Sequence, residues 1–551
     1  MIRTIALENT PVPLSCRPTG GPGRWSEVTA SATTMRRLGT AALLMTSAVF
    51  LSRVIGYLRE RFVAARFGAT GTTDAFYAAF TVPDWLNYLV AGGTLSITLL
   101  PVYARHLAEG DEAGANRVLS AVTTFVLVVV GAGVLLGEFF SFALVDAFFH
   151  RMDPAAREQC ARLTRILLPA QLCFVAGAIA TATLLARGRF AAAALAPLVY
   201  NGGIIVGGVL LGDWLGIESL AWGALAGAFL GPFLVPAIDA YRQGARVRPW
   251  LSLSHPGFRE WLALTLPLMI GVSLITADDW VIRYFAGAAD GEITRLSYAK
   301  RLVGVAIAVA GQAVGLASMP FFARLFAEGK RVELADTVLR ATRGAAVLAL
   351  LAGAWLAALA EPLCDILYRG GRFLASDVKP TAVYVAIFAA AVPLWAVQGL
   401  LARAFYAARD TWTPMLAGTA VTVLALPVYA VAYGEFGARG LAIASGLGIL
   451  LHVVVLALLV PRRLPELRPG ARAWLRGVLA AAIAATVAGF AAWLVARWAT
   501  RLAPPGYLRS ALQAAAGSLA FGTLVILVAR PLGIGEARIL IDKILSRLRA
   551  R

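Results

Sequence analysis

A chain of 551 residues that is 59% hydrophobic, only 15% charged and +19 in formal charge does not have the composition of a soluble domain, which is nearer a quarter charged (about 25%). Its arginines lie between apolar stretches rather than in one patch, so the positive-inside bias of membrane proteins accounts for the charge and no nucleic-acid partner is implied. The cysteines (Cys16, Cys160, Cys173, Cys364) have no CxxC spacing and the histidines (His106, His150, His255, His452) are scattered, which predicts no disulfide framework, no metal site and no cofactor.

Residues 1–34 are polar and rich in Pro and Gly. They lack the apolar core of a signal peptide and read as a disordered cytosolic tail or a misassigned start ahead of Met35. Beyond them, apolar runs recur that are long enough to cross roughly 30 Å of hydrocarbon. Ala121 to Val145, with Glu138 as its one charged residue, is an example. Six helices are predicted near 38–66, 73–104, 118–146, 160–186, 191–211 and 217–240, and six more near 259–286, 294–323, 340–368, 380–405, 412–433 and 438–460. Two further helices are expected at 474–496 and 508–530. The fold expected is an all-α integral membrane protein of roughly fourteen transmembrane helices. An N-lobe would cover 35–243, a C-lobe 257–461 and a helix pair 470–531. In the tail 532–551, Leu540, Ile541, Ile544 and Leu548 oppose Arg538, Lys543, Arg547 and Arg549, the pattern of a basic amphipathic helix lying on an anionic leaflet.

Arginine placement predicts the orientation. Arg242, Arg246, Arg248 and Arg259 cluster in one linker, and Arg462, Arg463, Arg468 and Arg472 in another. The alternate loops near 212–217 and 287–294 carry acids and no Lys or Arg. Both termini are therefore expected in the cytoplasm.

The chain also repeats. Pro101-Val-Tyr-Ala-Arg105-His-Leu-Ala-Glu109-Gly110 returns as Pro320-Phe-Phe-Ala-Arg324-Leu-Phe-Ala-Glu328-Gly329, and Leu184-Leu-Ala-Arg187 returns as Leu400-Leu-Ala-Arg403. The interval spans six predicted helices, an even number, so the two lobes should be parallel repeats around a central cavity. That is a transporter's geometry.

Charges at membrane depth mark candidate function. The first helix carries Arg53, Arg59, Glu60 and Arg61, the second Asp74 and Asp84, the seventh Asp278, Asp279 and Arg283, and the eighth Lys300 and Arg301. Spacing pairs Asp279 with Arg283 four residues on, and places Glu60 on the face of Arg53 two turns away. Arg53 and Arg301 stand deepest in apolar sequence. Arginine forks suit phosphate oxygens, so Arg53, Arg59 and Arg301 predict a diphosphate-bearing substrate. Asp278 and Asp279 keep open a cation-coupled multidrug antiporter. No P-loop and no carboxylate-rich catalytic loop is present, so an enzyme is not expected.

Ser52-Arg53-Val-Ile-Gly56-Tyr-Leu-Arg59-Glu60, Ala65-Arg66-Phe-Gly68 and Thr73-Asp74-Ala-Phe76 resemble the MurJ (MviN) family of lipid II flippases. So do Leu367-Tyr-Arg-Gly-Gly-Arg-Phe373 and Ala404-Phe-Tyr-Ala407. The resemblance, over residues 35–531, implies a bacterial inner-membrane flippase of alternating-access type, of the superfamily that includes multidrug and polysaccharide exporters. It implies lipid II as substrate, contacts with membrane lipids and cell-wall synthesis enzymes, and a lipid-tail groove on the last two helices. The family's cavity arginines match Arg53, Arg59 and Arg301. Ser52, Glu60 and Asp74 match gating or orienting positions. The second helix departs from the pattern, with Asn87, expected to contact substrate there, and Gly92 where the family usually has arginine and glutamate. Asp278 or Asp279 could supply part of an ion-coupling site, but the eleventh helix lacks the matching acid. A flippase for another polyprenyl-linked oligosaccharide therefore remains an alternative.

Overall fold

The computed structural model describes residues 51–90, 95–270 and 274–529. The polar N-terminal segment, the start of the first helix and the amphipathic tail lie outside the described residues. Among the described residues regular structure is helical, apart from one antiparallel bridge between Gly370 and Phe373. The helical stretches are α1 (51–67), α2 (71–108, interrupted), α3 (Glu112–Phe148), α4 (Pro154–Ala186), α5 (Ala191–Leu215), α6 (Glu218–Arg242) and α7 (256–286, interrupted). There follow α8 (Glu292–Ala327), α9 (331–368), α10 (Ala375–Ala407), α11 (Trp412–Phe436), α12 (Ala438–Arg463), α13 (Arg468–Ala499) and α14 (Tyr507–Ala529). Among the described residues, eleven helices are long and apolar enough to cross a membrane. α1, α2 and α7 each run into residues outside the description.

Where the helices break, proline chemistry explains it. The second helix, expected to be continuous, turns at Phe80 between Gly71–Ala79 and Thr81–Val90. Pro83 has no N–H to give the carbonyl of Ala79, and the Thr164 hydroxyl donates to that oxygen at 3.3 Å instead. α4 breaks at Leu168–Pro169 for the same reason. It also begins six residues earlier than its apolar run, because Asp153 caps the amides of Ala155 and Ala156 and Pro154 opens the first turn.

The repeat survives in backbone detail. Gly110 and Gly329, 219 residues apart, both take positive φ after α2 and α8, at 75° and 72°. Each closes its helix with the same two bonds, Gly110 N to Leu107 O and Asp111 N to His106 O, matched by Gly329 N to Phe326 O and Lys330 N to Leu325 O. Further on the interval is 221: Gly216 and Gly437 share φ near 54° and 58° and begin α6 and α12. The expected Leu184/Leu400 match is corrected by this spacing. Its interval of 216 is about one helical turn short, and the residue structurally equivalent to Leu184 is Phe405, which accepts from Asp410 N as Leu184 accepts from Arg189 N.

Small residues allow close packing where lipid offers no hydrophobic drive. In α5 and α6, Gly203 and Gly207 face Gly227 and Gly223, and a Cβ on Gly203 would lie 2.6 Å from the Gly227 Cα. α13 buries Ala481, Ala484, Ala488 and Ala492 along one stripe and leaves Leu479, Ile483, Phe490 and Leu494 exposed. The first half of α7 (Pro256–Ile270) packs on α2 and α3, burying Phe258 and Trp261, while its second half (Leu274–Ala286) packs on α11 and α12.

At one face, loops 68–70, 287–291 and 369–374 lock α1 and α2 onto α8, α9 and α10. Arg372 N donates to Ala65 O at 2.8 Å, Tyr57 Oη to Leu367 O at 2.7 Å, and Arg61 Nη1 to Ile366 O at 2.8 Å. Gly371 takes φ +55°, and a Cβ there would run into the Ala65 carbonyl. Gly371→Val therefore combines left-handed strain of about 1–2 kcal/mol with a backbone clash. It should lower the unfolding temperature in detergent relative to Gly434→Val, which meets open space. Equal temperatures for the two variants would show that this loop contact is dispensable.

Candidate functional site

Between α1, α8 and α7 lies a cavity of about 650 Å3, lined by Ser52, Arg53, Glu60, Asp279, Arg283, Lys300 and Arg301 among others. Its charges are organised around one buried carboxylate. Glu60 is 1% exposed, and its Oε1 takes the guanidinium of Arg59 together with Nε of Arg301 at 3.0 Å. Its Oε2 accepts the hydroxyl of Tyr77. Burying a carboxylate is costly unless it is paired and hydrogen-bonded, and here both oxygens are occupied. Arg59 is buried behind Glu60, with Nη1 donating to Asn201 Oδ1 at 2.8 Å. Asn201 in turn donates to the carbonyl of Pro197 within α5.

Arg53 differs. It is exposed to the cavity, and its contact there is a long 3.5 Å approach to Gln312 Oε1. Gln312 ends a π-helical turn, Ala308–Gln312, inside α8; such bulges recur at functional sites. The α1–α8 wall therefore presents Arg53 and Arg301, backed by the buried Arg59, against the single charge of Glu60. A dianionic group placed there would meet uncompensated positive charge.

The opposite wall is balanced the other way. Asp278 is fully buried and accepts from Lys300 Nζ at 2.6 Å, from Ser445 Oγ at 3.0 Å and from the Tyr429 hydroxyl. Lys300 also pairs with Asp279, which reaches the cavity half-exposed. The ammonium thus sits where a bound cation would have to sit. Arg283 does not neutralise Asp279 as the i,i+4 spacing suggests; its Nη1 goes to Asp84 at 3.1 Å and to Thr81 Oγ1 at 3.2 Å, across to α2. Glu60 likewise serves Arg59 and Arg301 rather than Arg53.

The structure brings Ser52, Arg53, Glu60, Arg301 and Asp279 to the cavity and places the others elsewhere. Arg59 and Asp278 stand behind its walls. Asn87 is half-buried on α2 and is not among the lining residues. Asp74 is buried at the locked face, where Oδ2 accepts from Gly291 N at 2.6 Å and Oδ1 from Thr294 N and Oγ1 at 2.7 and 2.6 Å. It is the N-terminal cap of α8, supplied by α2. Tyr77, Asn201 and Gln312 were not anticipated. An amide one turn after Pro197 in an otherwise apolar run was the available signal for Asn201. Among the described residues no cluster of His, Cys, Asp and Glu could hold a metal ion.

Known proteins share this fold. A chain described as lipid II flippase MurJ in an inward closed conformation superposes with a TM-score of 0.73, at 20% identity over 89% of this chain and 99% of its own. An inward-facing multidrug MATE-family transporter gives 0.62 at 17% identity, over 76% of this chain and 96% of its own. In sequence, a probable lipid II flippase MurJ of Bdellovibrio bacteriovorus is 27% identical over 78% of this chain and 83% of its own length. The lipid II flippase MurJ of Burkholderia cenocepacia is 28% identical over 77% and 84%. The family model for lipid II flippase MurJ matches residues 63–510. By that match over most of its length, the chain is a member of the lipid II flippase MurJ family.

Proposed function

We propose that this chain moves lipid II, a glycan precursor on a polyprenyl diphosphate, from the inner to the outer leaflet of a bacterial cytoplasmic membrane. The observation that carries the reading is the excess of guanidinium groups on the α1–α8 wall. Arg53 and Arg301 reach the cavity and would take the diphosphate through bidentate hydrogen bonds. Arg59 and Glu60 would hold Arg301 in place, and Ser52 would add a hydroxyl at the mouth. The arginine pattern of the linkers supports both termini being cytoplasmic. In that orientation the locked face is the outer one, and the cavity serves the inner leaflet. Alternating access then requires the Asp74 cap and the Gly371 loop contact to part. The exposed apolar faces of α13 and α14 would carry the lipid tail, and the binding role expected for Asn87 requires α2 to turn toward the cavity in another state.

Lys300 argues against a bound sodium ion as the coupling agent, because its ammonium already satisfies Asp278 and Asp279. In proteoliposomes, flipping of fluorescent lipid II should be unchanged when Na+ is replaced by K+ at fixed membrane potential. Arg53→Ala should reduce it at least tenfold, the scale of one or more lost charge-assisted hydrogen bonds of about 1.5–3 kcal/mol. Flipping that stops without Na+, or that is indifferent to Arg53, would contradict the proposal. The acids would then return as a cation site, as in an antiporter.

A further inference from the structure

A second cavity, of about 820 Å3, lies between α2, α3, α7 and α11. Trp85 and Tyr88 of α2, Phe148 of α3, and Trp280, Tyr284 and Phe285 of α7 wall it, with residues 426–430 of α11 behind. No charged side chain is among its lining residues. α7 separates it from the charged cavity: Asp279 and Arg283 face one side, and Trp280 and Tyr284, each one residue on, face the other. The aromatic rings meet edge-on across the slot without filling it, Tyr88 with Trp280 at 5.8 Å and Phe148 with Tyr284 at 5.2 Å.

A cation caps this slot. The guanidinium of Arg151, in the loop after α3, lies 5.8 Å from the ring centre of Tyr284, 5.4 Å from that of Phe285 and 6.0 Å from that of Tyr433. It is exposed, and among the described residues no carboxylate pairs with it, whereas nearby Arg157 pairs with Asp146 at 3.1 Å. Aromatic side chains beneath a cation at the end of a membrane helix mark the depth of lipid headgroups.

From its apolar slot and capping guanidinium, we propose that this is a binding site for one anionic phospholipid of the leaflet at the 149–153 loop, with an acyl chain in the slot and its phosphate on Arg151. The order of polarity matches a phospholipid from chain to headgroup. The substrate's own tail is the less suitable occupant. Its diphosphate would lie beyond α7, which the Asp84–Arg283 pair ties to α2 at 3.1 Å. The lipid would straddle the seam where α2 and α3 meet α7 and α11, and so would brace the closed state of that face.

The test uses the purified full chain, delipidated in detergent and mixed with phosphatidylglycerol or with phosphatidylcholine of identical acyl chains. Native mass spectrometry counts the lipids retained. One phosphatidylglycerol should be held in preference to phosphatidylcholine. Arg151→Gln should weaken its retention about tenfold, as expected for one charge-assisted hydrogen bond. Ala430→Trp, which fills the slot, should abolish it with the unfolding temperature unchanged. Equal retention of the two lipids, or retention indifferent to Arg151→Gln, would overturn the proposal. So would displacement of phosphatidylglycerol by equimolar undecaprenyl phosphate, which would make the slot a carrier-tail site. No transport is measured, so the result stands apart from the flippase assignment.

Discussion

Glu60→Gln is expected to remove both transport and a large part of the protein's stability. The glutamine keeps the size of the side chain and can still meet Tyr77, but it leaves the guanidinium groups of Arg59 and Arg301 facing each other across a neutral amide. Arg301 is more than half exposed and can swing into the cavity. Arg59 cannot, because it is buried with Asn201 as its remaining partner. Breaking a buried ion pair from one side costs about 3–5 kcal/mol, since the surviving charge is stranded. A double variant, Glu60→Gln with Arg59→Gln, strands no charge and should recover much of the stability. Its transport should stay low, because Arg301 no longer has its anchor. The check is thermal unfolding in detergent alongside lipid II flipping in proteoliposomes. A single variant as stable and as active as the parent would remove Glu60 from the centre of the site.

Asp74→Ala should act on the conformational equilibrium rather than on binding. The carboxylate accepts three hydrogen bonds from the N-terminus of α8 and is supplied by the other half of the molecule, so it stabilises the closed form of that face alone. Coupling energies of this kind are about 1–3 kcal/mol, which moves a two-state population by about 5- to 150-fold. A cysteine at Ser52, in the cavity, should react slowly with an impermeant maleimide added from the outer side of the parent, and at least several-fold faster when Asp74 is alanine. Flipping should fall because the cavity no longer closes on that side. Asp74→Asn keeps an acceptor oxygen and should lie between the two. Unchanged labelling in a well-folded Asp74→Ala protein would mean that the Asp74 cap does not hold the gate.

The helices were legible because an apolar span is forced on any chain that crosses a bilayer, and the repeat was legible because helix ends need glycine at positive φ, as at Gly110 and Gly329. The cavity's lining was legible in part for the same reason: Arg53 and Arg301 stand in apolar sequence, where a charge is costly unless it is paired or faces water. What spacing could not show was the pairing. A sequence displays neighbours at i+4 and i+7 on one helix, which suggested Asp279 with Arg283 and Glu60 with Arg53. The folded chain instead joins Arg283 to Asp84 and Glu60 to Arg301 across helices far apart in sequence, and Lys300 takes both aspartates. Asp74 was legible as a charge in the second helix and its orienting role came from a family position, but its place as a cap on α8 needed the coordinates of both helices. The Leu184/Leu400 match misled by one turn, because α4 and α10 keep the same ends while their internal sequence has slipped.

The most direct test of lipid II transport through this cavity is rescue of a bacterium depleted of its own lipid II flippase. The parent chain, Arg53→Ala and Arg301→Ala would be compared at equal abundance in the inner membrane. Growth with the parent and lysis with both variants is the predicted result. Growth with the variants, or lysis with a well-inserted parent, would contradict it and direct attention to a different lipid-linked glycan.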